Sequence, residues 1–343
     1  MNATPLRQTT TNLGGIGMAD MAREIPEKMR AAAIDRFGGP EVLRMQMVAV
    51  PEMGADEILI RVKAAGVGVW DRYEREGQRA DAMPGDTEFP HVIGSDAAGE
   101  VVAVGDDVKR FSPGDRVYAF GYLSPKATFY ADYAVVGEES ASRIPGDLTF
   151  DQAGAMPADA MTALTGLAQV LDIGQGDRLL IYGASGGIGH MAIQLAKRMG
   201  AEVLAVASRE DGVELARRLG ADAVVEGHDG DVVGAAEKFA PDGLDAILAT
   251  ADGDSLHAVV SKVRRGGKIA YPNGVEPGFD APEGVDLESF NGLPSRDLIE
   301  LLNSLIEAGP FEVHVAEVFP LERAADAHRK LDEHFLGKLM LRP

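Results

Sequence analysis

Four glycines within seven residues, Gly183, Gly186, Gly187 and Gly189, stand between an apolar run and an amphipathic pattern. The run, Leu179–Tyr182 (LLIY), reads as a short parallel strand covered on both faces. Beyond the glycines, Ile188, Met191, Ala192, Leu195, Ala196 and Met199 fall at helical spacing, and Gly200 is placed to close the helix. A strand feeding a glycine turn and a helix N-terminus aims several backbone N–H groups, and the positive end of the helix dipole, at one point. That geometry suits a pyrophosphate, held at Ser185, Gly186, Gly187 and Ile188. The G-x-G-x-x-G frame is met as Ala184-Ser185-Gly186-Gly187-Ile188-Gly189, with alanine in its first slot. Such a motif alone is weak, because a phosphate-free crossover also uses glycines for close packing.

The surrounding elements give the motif its meaning. Ala201–Ala207 (AEVLAVA) reads as a second strand, Val213–Leu219 as a helix ended by Gly220, and Ala221–Val225 as a third strand. A β–α–β–α–β rhythm is that of a Rossmann half. Rossmann domains that prefer NAD carry an acid at the end of strand two for the ribose 2′-OH. Here that slot is Ala207, followed by Ser208 and Arg209, a hydroxyl and a guanidinium suited to a 2′-phosphate. NADPH is therefore the expected cofactor, although Glu210 and Asp211 stand close by and Arg209 also reads as a solvated surface residue.

Totals narrow the classes. The chain has 343 residues, enough for two domains, with 45% hydrophobic and 25% charged residues, as in a globular protein. A formal charge of −21 repels phosphate backbones and argues against nucleic acid as a partner. There is no cysteine, which excludes disulfides, thiolate nucleophiles and cysteine-ligated metal, and the cytoplasm is the default compartment. No run of about 18 apolar residues exists, so no membrane span is expected. Residues 1–28 lack the apolar core of a secretory signal and read as a flexible extension, with Thr9–Gly17 small, polar and glycine-rich.

From Met29 the pattern is that of strands. Arg30–Asp35 and Val42–Val50 form an expected hairpin, Glu57–Ala65 alternates as a half-buried strand, and a short helix follows at Trp70–Glu76. Gly94–Gly105, Asp115–Ala119 and Tyr130–Val136 continue a β-rich, barrel-like domain that closes at Ile144-Pro145. Two helices divided by Pro157 follow, the first with Asp151 as N-cap. After the second βα unit, Leu244–Ala249, Gly267–Tyr271 and Val313–Val315 are the expected strands four to six of the Rossmann sheet. Leu321–Phe335 reads as an amphipathic helix, and Lys338–Leu341 as a strand that returns to the first domain and makes it discontinuous. Pro277–Pro294 has no assigned element and is a candidate wall of the cleft.

Taken in order, these segments resemble the medium-chain dehydrogenase/reductase superfamily, specifically its zinc-free quinone oxidoreductase branch. The resemblance covers nearly all of 29–343. It rests on Ala64-Ala65-Gly66-Val67, on Gly94–Gly99 leading to Val104-Gly105, on Gly114–Val117, on Gly183–Gly189 and on Leu219–Asp222. It implies an α/β chain with a Rossmann domain at 158–310 and a discontinuous GroES-like barrel at 29–157 plus 311–343. Zinc members carry an early cysteine and a Gly-His-Glu segment. The corresponding segment here is Gly94-Ser95-Asp96, serine hydroxyl is a poor Zn²⁺ ligand, and no metal is expected. Without a Lewis acid, simple alcohol oxidation gives way to acceptors that already take hydride readily. Short-chain dehydrogenases also fit the glycine pattern, but their Tyr-x-x-x-Lys pair is matched only by Tyr122 and Lys126, upstream and broken by Pro125.

On the substrate side, the resemblance assigns Tyr73 to the nicotinamide face as a hydrogen-bond or proton donor, although it also reads as a residue packing the domain seam. Thr162 matches a threonine near the carboxamide, and Asn273-Gly274 follows strand five at the cofactor edge. Gly68 replaces an asparagine common in relatives, and Trp70 either walls the cleft or packs the core. The seven histidines show no metal-ligand spacing. The expected protein is a homodimer that transfers hydride from NADPH to a quinone or similar electrophilic small molecule. Reduction of the C=C of α,β-unsaturated carbonyls is an alternative, and an NADPH-binding sensor with little turnover is a rival from another class.

Overall fold

The computed structural model describes residues 25–78, 87–121, 124–276 and 278–343. The expected extension falls largely outside the described residues; at its end, Lys28 already belongs to the first strand.

The barrel lobe opens with β1 (Lys28–Ile34) and β2 (Arg44–Ala49), the expected antiparallel hairpin. β3 (Glu57–Val67) runs into the short helix α1 (Val69–Arg75). β4 (His91–Val92), β5 (Asp96–Val104), β6 (Arg116–Phe120), β7 (Tyr133–Gly137) and β8 (Ala141–Arg143) complete its first part. α2 (Phe150–Ala155) and α3 (Pro157–Leu164) divide at Pro157, as a proline at a helix start requires. The cap of α2 is Thr149 and not Asp151: Thr149 accepts from the Gln152 N–H while Gln152 reaches back, a reciprocal capping box. Asp151 instead pairs with Arg342 near the C-terminus.

The second lobe comprises β9 (Arg178–Tyr182), α4 (Gly187–Arg198), β10 (Glu202–Ala207), α5 (Arg209–Arg218), β11 (Ala223–Glu226) and α6 (Val232–Phe239). It continues through β12 (Leu244–Ala249), α7 (Asp254–Val259), β13 (Val263–Pro272), β14 (Asp286–Phe290) and α8 (Arg296–Glu307). Its sheet is parallel throughout, in the order β11-β10-β9-β12-β13-β14. The apolar run of β9 is explained by burial on both sides. Leu179 and Ile181 join the core under α3, α4 and α8, while Leu180 and Tyr182 join the core against α6 and α7.

The chain then returns through β15 (Val315–Pro320), α9 (Ala324–Lys330) and β16 (Lys338–Arg342). β16 pairs antiparallel with β3, which places the C-terminal strand in the barrel lobe as its sequence implies. The sixth Rossmann strand is β14 and not Val313–Val315. β14 (DLESF) is an edge strand, largely exposed, so it carries no apolar signal; β15 lies parallel to β16 in the other sheet. α9 also ends five residues before Phe335, and 331–337 form a loop instead.

Candidate active site

A cleft of about 540 Å³ runs between the lobes along the C-terminal edge of β9 and β10, where open parallel sheets bind their ligands. Ser185, Gly186, Gly187 and Ile188 line its middle, at the N-terminus of α4. Two of the glycines are required by contact. A Cβ on Gly189 would overlap the Gly183 carbonyl oxygen, and one on Gly187 would overlap the Asp159 carboxylate. The turn is held from behind by His190, which is fully buried. Its Nε2 accepts from the His314 N–H (3.2 Å), so Nδ1 carries the proton and donates to the Gly186 carbonyl (2.8 Å). Burial lowers its pKa and keeps it neutral. From the other lobe, the Gly337 N–H donates to the Ser185 carbonyl at 2.9 Å.

At the β10–β11 end of the cleft lie Ser208 and Arg209, beside Gly227 and His228. Arg209 starts α5 with φ of +59°, a left-handed conformation that a non-glycine residue adopts at a cost of order 1–3 kcal/mol. Its N–H is fixed by the Glu226 carboxylate at 2.9 Å. Burial would raise the Glu226 pKa, but N–H donors from Asp229, Arg209 and His228 pull it down to about 2. The Ser208 hydroxyl is 3.4 Å from that of Ser185.

At the other end Trp70 lines both the cleft and a pocket of about 10 Å³, space for one water, formed with Ser95, Phe120, Thr162, Asn291 and Gly292. Thr162 is buried and its hydroxyl donates to the Ala158 carbonyl at 2.7 Å. Tyr73 packs edge-on against Trp70, with ring centroids 5.9 Å apart. Gly274 (φ +101°) lies against both rings, and the Asn273 N–H donates to Phe290 at the end of β14. Thr162 thus lines the smaller pocket and Ser208-Arg209 line the cleft, whereas Tyr73 and Gly274 pack against Trp70, and neither Tyr73 nor Asn273-Gly274 lines either cavity. Asn291 and Gly292 come from the stretch that sequence reasoning left without an element.

Between the glycine turn and this end sits a charged cluster that sequence reasoning missed, and two of its members, Asp159 and Lys338, line the cleft. The Lys338 ammonium is 2.9 Å from Asp159 and 3.6 Å from Asp96, and all three side chains are almost fully buried. Burial alone would lower the lysine pKa, but Asp159, Asp96 and Asp71 outweigh it and raise it. Asp71, 1% exposed, accepts from the Gly68 N–H (2.8 Å), the Ser95 hydroxyl (2.9 Å) and the Tyr130 hydroxyl (3.2 Å). Burial, reinforced by the Asp96 charge, pushes its pKa up to about 7. The four residues are far apart in sequence. The one available signal was a lysine opening an otherwise apolar strand. Among the described residues, no group of three or more His, Asp or Glu side chains is arranged to hold a metal ion.

Comparison with known proteins agrees with this architecture. The alcohol dehydrogenase GroES-like domain model matches residues 54–164, and the zinc-binding dehydrogenase model matches 187–283. The pig (Sus scrofa) quinone oxidoreductase is 31% identical over 327 residues, covering 91% of this chain and 97% of the pig protein. An Arabidopsis thaliana chloroplastic NADPH-dependent alkenal/one oxidoreductase is 31% identical, covering 93% of this chain and 81% of its own. A mycobacterial structure complexed with NADPH superposes with a TM-score of 0.78 at 27% identity, covering 92% of this chain and all of the other. A two-lobed chain with this cleft is a nicotinamide-dependent oxidoreductase. It belongs to the medium-chain dehydrogenase/reductase superfamily, in its quinone-oxidoreductase-like branch.

Proposed function

We propose that the chain is an NADPH-dependent, zinc-independent reductase that delivers hydride to a quinone or a similar electrophilic carbonyl compound. The observation that carries this reading is the polarity of the cleft: Ser208 and Arg209 at one end, the glycine turn in the middle, and a largely uncharged pocket at the other. The residues fit the cofactor. Backbone N–H groups at Ser185–Ile188 and the dipole of α4 offer a pyrophosphate site. Arg209 supplies a guanidinium where a 2′-phosphate would lie, and Ala207 places no acid against it. When bound, the reduced nicotinamide supplies a hydride from its C4. Thr162 and Asn273-Gly274 position the ring, and Tyr73 donates a hydrogen bond to the acceptor oxygen as negative charge develops there.

Zinc independence is supported by the donors themselves. Ser95 is committed to Asp71, and Asp96 faces the Lys338 ammonium, so cations already have a tenant here. The similarity to the plant alkenal/one oxidoreductase favours a second reading, in which the acceptor is the C=C of an α,β-unsaturated carbonyl. The exposed edge β14 supports a homodimer formed by strand pairing, for which light scattering should give twice the mass of one chain.

The test is cofactor oxidation with chelator in excess, offering a simple quinone and a 2-alkenal, with NADPH and NADH in parallel. Chelator-resistant turnover that favours NADPH is the expected result. Tight NADPH binding without turnover of either acceptor would overturn the reductase reading.

A further inference from the structure

Reduction by hydride leaves an oxyanion that must be protonated, and the charged cluster beside the pocket holds a carboxyl group placed to supply that proton. Three carboxylates, Asp71, Asp96 and Asp159, surround one ammonium, Lys338. Asp159 and Asp96 lie against that ammonium, and Asp96 also accepts from the Ala158 N–H. Asp71 accepts hydrogen bonds from neutral groups alone among the described residues. Of the charged groups facing it, the Lys338 ammonium favours its charge, while burial and the acidic neighbours outweigh that pull. Glu74 on its own helix and Asp96 on β5 both disfavour its charge. Arg75 can only donate, so His328 on α9 accepts at Nδ1 (2.9 Å) and carries its proton on Nε2, 3.1 Å from the Tyr130 oxygen. Burial, helped by Arg75, lowers the His328 pKa to about 3, so it brings no positive charge.

Building on the reductase reading, we propose that Ser95 and Asp71 form the proton-delivery pair of the reaction. Ser95 belongs to both systems: it lines the small pocket with Trp70, Phe120 and Thr162, and its hydroxyl donates to Asp71 Oδ1. With a proton on Oδ1 the hydrogen bond reverses. Asp71 then donates to the Ser95 oxygen, and the serine O–H is free to point into the pocket. After hydride transfer the Ser95 O–H bond breaks as an O–H bond forms on the acceptor's oxyanion. At the same time the Asp71 Oδ1–H bond breaks and the Ser95 hydroxyl is restored. Asp71 is left as a carboxylate accepting from Ser95, and one solvent proton recharges the pair through Ser95 once product leaves. Electrons move only in the hydride step. Asp71 also caps α1 through the Gly68 N–H, so a purely structural role must be told apart from the relay.

The experiment compares wild type, Ser95→Ala, Ser95→Thr and Asp71→Asn in the full chain. NADPH affinity is read by fluorescence, and kcat for a 2-alkenal is followed across pH with its solvent deuterium isotope effect. The cofactor-free protein is examined in parallel by infrared spectroscopy for a protonated carboxyl band. The relay requires a wild-type kcat that falls as pH rises through about 7, with a carboxyl band that disappears over the same range and is missing in Asp71→Asn. Ser95→Ala and Asp71→Asn bind NADPH but lose kcat by about 100-fold together with the pH step, and Ser95→Thr restores both. Wild-type kcat, isotope effect and pH profile retained in Ser95→Ala would overturn the relay and leave the reductase reading standing. Absence of wild-type turnover with both the 2-alkenal and a simple quinone would instead count against that reading. Should the variants fail to fold, a wild-type pH profile with no step and no titrating carboxyl band is enough to reject the proposal.

Discussion

The Lys338 ammonium, on the last strand of the barrel lobe, is 2.9 Å from the Asp159 carboxylate on the helix that leads into the Rossmann lobe. This buried pair joins the lobes directly below the glycine turn, since Asp159 also lies against Gly187. Lys338→Met would leave three buried carboxylates with no cation. Breaking a buried pair from one side typically costs about 3–5 kcal/mol. Chemical denaturation at neutral pH should register a loss of that order. Without the lysine the already raised pKa values of Asp71 and Asp96 rise further, so the loss should shrink as pH falls and these carboxylates protonate. A variant as stable as wild type at neutral pH would contradict this account.

Asp71 sets a pH dependence of its own. Its folded pKa of about 7 lies above the ordinary aspartate value, so the folded state binds a proton that the unfolded chain has already released. This group therefore lowers stability as pH rises from about 4 to about 7, by a few kcal/mol. Asp71→Asn should flatten the stability profile over that range, as read from denaturation midpoints. A wild-type and variant difference that does not change with pH would count against a buried, neutral Asp71.

Arg209 carries the expected cofactor preference. Arg209→Gln removes the guanidinium from one end of the cleft and leaves the glycine turn alone. NADPH affinity should fall by about 10- to 100-fold, the worth of a charge-assisted contact, with NADH unchanged within about twofold. Equal losses for both cofactors in a fluorescence titration would show that Arg209 serves the fold instead.

Gly189 tests the close approach of α4 to β9. Because a Cβ there would overlap the Gly183 carbonyl oxygen, Gly189→Ala must move backbone against backbone. Overpacking of this kind costs about 1–3 kcal/mol and opens the turn. Thermal unfolding should shift down, and NADPH binding should weaken more than the loss of stability explains. A variant with wild-type affinity would remove the turn as the phosphate site.

Tyr73 separates hydrogen bonding from proton delivery. Tyr73→Phe keeps the packing against Trp70 and Gly274 and deletes the hydroxyl. The kcat should fall by about tenfold with its pH profile retained, since the hydroxyl steadies the developing oxyanion while the proton comes from Ser95. Loss of the pH step in this variant would transfer the proton-donor role to Tyr73.

What was legible in the sequence follows from the range of the interactions. The strand, glycine turn and helix at 179–199 are local, and each residue type announces its own role. The return of Lys338–Leu341 to the barrel was legible because a terminal strand does not easily join a sheet already six strands wide. β14 was not, because an exposed edge strand such as DLESF need not alternate. The tail helix was drawn too long because His334 and Phe335 sit at helical spacing yet line the cleft from a loop. The Asp71–Asp96–Asp159–Lys338 cluster was hidden most completely. Its members come from α1, β5, α3 and β16, and only tertiary packing brings them together. The sequence shows only that His190 lacks metal-ligand spacing, and the His314 N–H at its Nε2 is what reveals that it anchors the glycine turn.

The most direct test of the central claim is the fate of a single deuterium. NADPH deuterated at C4 would be oxidised by the chelator-treated protein with a 2-alkenal as acceptor, and the product examined by NMR. The account predicts deuterium on the β-carbon of a saturated product and, in deuterated solvent with unlabelled NADPH, solvent deuterium on the α-carbon. No NADPH oxidation with either the 2-alkenal or a simple quinone, or a turnover that chelator abolishes, would contradict it, whereas deuterium on the carbonyl carbon of an allylic alcohol would reject the C=C reading alone.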